Sequence, residues 1–121
     1  MPKNFDEAPP LSATYNVKTD EVVTLDVIIG SGQIGSIGVQ VGDDPLVMGH
    51  DHLKVALGQG FDVKGKTVVV GTAVHDVNPN TNRSEVQYTL TGGFPPDVFH
   101  TELVPTEDLL MVIHVATFTF A

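Results

Sequence analysis

Valine, isoleucine and threonine fill 36 of the 121 positions. These side chains branch at Cβ, which stiffens χ1 and favours a pleated, half-buried surface over a helix. They also fall in an ordered way. Between residues 22 and 29, Val23, Leu25, Val27 and Ile29 share one parity, and Thr24 and Asp26 the other. Successive strand residues point to opposite faces, so this is the pattern of a strand with one face in a core. Residues 34–41 repeat it, with Ile37, Val39 and Val41 against Ser36, Gly38 and Gln40. Gly35 and Gly38 suggest a bulge or a close backbone approach.

Twelve glycines and eight prolines fall mostly between the apolar runs, as turn punctuation. Many short strands broken in this way predict an all-β fold, an antiparallel β-sandwich of seven to nine strands. The strand order, immunoglobulin-like or jelly-roll, is not readable. Residues 1–11 read as a flexible leader ending at Pro9-Pro10, and 12–121 as one sandwich domain. Residues 46–60 suit a strand over 53–57, or a short helix capped by Asp51. The clearest unit is a hairpin. Val68, Val70, Thr72 and Val74 line one face of residues 66–77, and Val86, Tyr88 and Leu90 one face of 85–90. The polar loop 78–83 joins them.

Composition removes several functions. Fifteen acidic against six basic residues give a net charge of −9, which disfavours nucleic acid and anionic membrane surfaces. The absence of cysteine removes disulfides, thiolate nucleophiles and cysteine-based metal sites. No apolar run reaches the ~20 residues of a membrane span, and the N-terminus has no signal-peptide core. The default compartment is therefore the cytoplasm, although an exported mature domain fits the same sequence. The run Gly30-Ser31-Gly32-Gln33-Ile34-Gly35 matches a dinucleotide-binding glycine pattern, but β-branched and glycine-rich sequence follows it where a helix is required.

Two patterns could hold a metal. His50 and His52 stand two apart, which on one strand would turn both imidazoles to one face. A site there needs a third ligand from His75, His100 or His114, because two imidazoles leave a transition metal short of protein ligands. Asp76, Asn78 and Asn80 repeat the first three oxygen positions of a calcium loop, but Thr81 and Gln87 stand where glycine and a bidentate glutamate belong. The competing reading is a loop whose Asn side chains bond their own backbone. No cofactor is expected, and a bound divalent metal is the alternative.

The C-terminal run 109–120 carries no charge. Such a strand aggregates unless it lies at the centre of a sheet or builds an interface. Val112, His114, Phe118 and Phe120 are the candidate interface residues, with His114 otherwise a hydrogen-bonded core histidine. The reading that follows is a non-catalytic binding or assembly module, acting through a protein partner or self-association. The alternative is a metal-dependent binding protein or small enzyme at His50 and His52. The sequence specifies no small-molecule ligand.

Overall fold

The computed structural model describes residues 5–75, 77, 78, 80–93, 96–105 and 111–121. The strands run in the order β1 (Phe5–Glu7), β2 (Leu11–Tyr15), β3 (Val22–Ile29), β4 (Ile34–Val41), β5 (Val47–His50) and β6 (His52–Gln59). A single helical turn, α1 (Gly60–Val63), precedes β7 (Thr67–His75), β8 (Ser84–Thr91), β9 (Asp97–Leu103) and β10 (Met111–Phe120). They form two packed sheets. One has the order β1-β10-β7-β4-β5, with β2 also on β10; the other has the order β6-β3-β8-β9. The fold is an all-β sandwich, as the alternation predicts. No helix among the described residues is long and apolar enough to cross a membrane.

The predicted inward residues are the core. Val23, Leu25 and Val27 from β3, Ile37 and Val39 from β4, Val68 and Val70 from β7, and Val86, Tyr88 and Leu90 from β8 are all buried. Phe118 stands between the sheets, its ring 5.7 Å from Tyr88 and 5.2 Å from Phe99, tilted as aromatic quadrupoles prefer. Gly35 is the predicted close approach, since a Cβ there would collide with the carbonyl oxygen of Ala73. Only glycine lets β4 lie that near β7.

Two expectations are corrected and a third is refined. The stretch read as a leader joins the sheet: β1 pairs with residues 111–113 and β2 with 116–120, both parallel to β10. Successive strands suit antiparallel pairing because a parallel pair needs a long crossover, and the two parallel pairs do not join successive strands. Here the whole domain is that crossover, since the two partners come from opposite ends of the chain. Residues 66–77 and 85–90 do not pair as a hairpin. β7 pairs with β4 and β10, and β8 with β3 and β9, so the loop between them arches from one sheet to the other. Between 46 and 60 the strand reading holds, but as two strands in different sheets.

Gln33, one residue of the glycine-rich turn, fixes the arch. Its Oε1 accepts from the backbone N–H of Val77 (2.8 Å) and Asn78 (2.9 Å). Its Nε2 donates to the carbonyls of Thr81 and Arg83, both at 3.2 Å. Asn78 adds a bond from Nδ2 to the Ser31 carbonyl at 2.9 Å. A buried amide that satisfies both of its ends stabilises by about 1 kcal/mol per bond, and its removal strands the donors it served. Gln33→Ala is expected to lower unfolding free energy by about 2 kcal/mol in urea titration, with an unchanged m-value. A loss within about 0.5 kcal/mol would mean that the arch holds without it.

Candidate interaction face

The residues singled out by sequence are dispersed. His50 ends β5 and His52 begins β6, on opposite sides of a corner at Asp51, whose backbone is left-handed (φ 63°). The two-residue strand period does not run through this corner, so the two imidazoles belong to different sheets. Asp51 Oδ1 accepts the Gly35 N–H at 2.9 Å, which anchors the corner. His52 Nε2 pairs with Asp26 Oδ1 at 2.5 Å on the exposed side of the second sheet. His100 lies in the same cross-strand row as His52, with Ile28 and Gln87 between them. Three strand spacings put them ~14 Å apart. His75 ends β7, and His114 is in the core. Among the described residues no group of three or more His, Asp or Glu side chains is placed to hold a metal ion.

Asp76 lies outside the described residues. Asn78 is engaged with the backbone: its Oδ1 accepts the Asn80 N–H at 3.0 Å, and its Nδ2 bonds Ser31. That is the local turn chemistry of asparagine. Arg83, the only arginine of the sequence, bridges Glu85 (2.6 Å) and Glu102 (2.9 Å) on the surface.

His114 is fully enclosed, at 0% exposure. Both ring nitrogens face hydroxyls across the sandwich: Nε2 lies 2.7 Å from Ser84 Oγ and Nδ1 2.7 Å from Thr101 Oγ1. The Thr101 hydroxyl continues to the Tyr88 hydroxyl at 2.9 Å. Thr72 Oγ1 is close enough to bear on that phenol, but the geometry leaves it without a hydrogen bond. Burial pushes the Tyr88 hydroxyl up to about 12. A Ser–His contact of this kind can generate a nucleophile. Here Ser84 is only 3% exposed, and the third partner is a hydroxyl where an orienting carboxylate would stand. The chain is a core hydrogen-bond network. Sequence reading identifies His114 but misses Ser84 and Thr101, which stand near each other on the paired strands β8 and β9, Thr101 being opposite Val86.

The interface candidates on β10 are corrected by parity. Val112, His114, Phe118 and Phe120 all point into the core. The outward residues are Met111, Ile113, Val115, Thr117 and Thr119. Register places Val115 beside Gly71, Gly38 and Met48, and Ile113 beside Ala73, Ser36 and His50. Ile34, Val69 and Leu46 extend the same apolar face, each at least two-fifths exposed. The outward positions of β4, β7 and β10 hold no Asp, Glu, Lys or Arg. The opposite sheet shows Asp26, Lys54, Glu85 and Glu102 outward instead. On the apolar face a groove of about 410 Å³ runs over Gly38 and Gly71, walled by Leu46, Met48, Val69 and Ile113. The signal for it in the sequence is Gly71, a missing side chain inside a valine run.

Burial drives the His114 pKa down to about 4 from 6.5. The folded state therefore favours the neutral ring, and the unfolded chain binds the extra proton between those values. Stability is full above pH 6.5 and falls as pH drops toward 4, by roughly 3 kcal/mol from this group. Urea unfolding of wild type and His114→Gln between pH 7 and 4 checks this. The wild type should lose stability more steeply, and parallel curves would contradict it.

Comparison with family models, with curated proteins and with solved structures finds no match.

Proposed function

We propose that this chain is a non-catalytic β-sandwich that works by protein–protein contact through the outer face of the β10 sheet. The observation that carries this reading is the division of the two outer faces. Charge is displayed on one sheet, while the central strands of the other present an uninterrupted uncharged surface. Single exposed apolar residues are ordinary, but a contiguous patch of them marks a contact site. The patch also has relief: a glycine-floored groove beside the exposed side chains of Leu46 (55%) and Met48 (60%). Methionine at such a surface adapts its shape to what it meets.

The face selects its partner by shape and apolarity. Its centre offers no group for an ion pair, so the net charge of −9 acts elsewhere, in keeping the chain dispersed. The buried Ser84–His114 contact takes no part, because it is closed to solvent.

A photoreactive p-benzoylphenylalanine at position 71 tests the reading. A Cβ added there meets nothing within 4 Å in the isolated chain and opens onto the groove, so the fold should accept the larger group. The same group replacing Lys54, on the opposite sheet, is the control. Irradiation in the producing cell should give protein adducts from position 71 and few from position 54. No adducts from position 71, or equal adducts from both, would remove the reading.

A further inference from the structure

We infer that the occupant of this face is a second copy of the same chain, packed face to face about a twofold axis. The inference rests on the reading above and names its partner. Three observations favour self-association. The first is self-complementarity. Leu46 and Met48 rise at the Gly38 end of the groove, 3.4 and 3.2 Å from where a Cβ on Gly38 would stand, whereas a Cβ on Gly71 of the next strand would meet nothing within 4 Å. A ridge and an adjoining trough on one surface are what an isologous contact needs, because each copy then offers both halves of the fit. A twofold axis through the face sets the Leu46–Met48 ridge of each copy over the Gly71 floor of the other.

The second observation is charge. Two chains of net charge −9 repel. Among the described strand residues of this face Glu7 is the one acidic side chain, at the β1 edge opposite Ile113, and the centre is neutral. Copies meeting here keep their charged sheets outermost, on opposite sides of the dimer. A basic partner, by contrast, would find its charge complement on the other sheet.

The third is area. The six strands of this sheet hold 39 residues; at ~3.4 Å per residue and ~4.8 Å between strands they give a face on the order of 640 Å². A standard interface takes ~800 Å² from each partner, so the face is of dimer size.

Sedimentation velocity on the full chain, from about 1 to about 200 µM, tests the inference. The wild type should shift from monomer to dimer across this range. It should dimerise more tightly at about 150 mM salt than at about 20 mM, because screening relieves net repulsion and no ion pair is lost. Val69→Lys and Val115→Lys should each weaken dimerisation at least about 30-fold, since they bury an unpaired ammonium. Both positions are already exposed in the monomer, so thermal unfolding should hardly move. Thr117→Lys, toward the polar end of the same face, should weaken it less than either. A wild type that stays monomeric throughout, or a Val69→Lys protein that dimerises like wild type, would overturn the inference. Should position 71 then still cross-link to a different protein in cells, the interaction face stands and only the choice of partner fails. Should neither occur, both fail.

Discussion

Most of what joins the two sheets is apolar contact, which fixes distance but not register. One directional element crosses the middle of the sandwich: the hydrogen-bonded chain from Ser84 through His114 and Thr101 to Tyr88. His114 comes from β10 in one sheet, and the three hydroxyls come from β8 and β9 in the other. Sliding one sheet by a residue would strand two ring nitrogens and three hydroxyls in a dry interior. Each stranded group costs about 1–3 kcal/mol, so the chain selects one stacking of the sheets. The arrangement is most stable while the ring is neutral. Protonation leaves both nitrogens as donors and the hydroxyls able to accept, so the hydrogen bonds can survive; the buried charge is what costs stability.

With β10 pinned by its inner parity, its outer parity is fixed as well. Met111, Ile113 and Val115 must face outward, the last two in line with the small residues Ala73, Gly71, Ser36 and Gly38 of β7 and β4. The strand is internal to its sheet, flanked by β7 on one side and by β1 and β2 on the other. Its edges are therefore satisfied, and what stays open is a face. A covered edge removes the hazard of strand addition but not that of face-to-face packing. An uncharged face beside a charged opposite sheet is the arrangement from which the proposed contact follows.

Much of this was legible in the sequence, and the failures share one cause. The alternation in 22–29, 34–41 and 85–90 gave the strands and the core residues, because a two-residue period is a local property. Pairing is not local. Residues 66–77 and 85–90 look like a hairpin by spacing, but the amide of Gln33 ties the arch between them to a turn some 45 positions away. The His50–His52 pattern assumes one strand, but Asp51 takes a left-handed conformation and sends the chain to the other sheet. On β10 both parities are apolar, so sequence could not tell Val112 from Ile113; only the core partners decide. Ser84 and Thr101 gave no signal, since a hydroxyl becomes a histidine partner only once the sheets stack.

The central claim is that the outer face of the β10 sheet is covered when the protein works. Met48 reports on it directly, being 60% exposed in the isolated chain and beside the Gly38–Gly71 groove. The measurement is its rate of oxidation to the sulfoxide by dilute peroxide, followed by mass spectrometry as protein concentration is raised, and then in the producing cell. Oxidation that slows at high concentration and inside the cell is the predicted result. Oxidation of Met48 at the free-chain rate under every condition would contradict it.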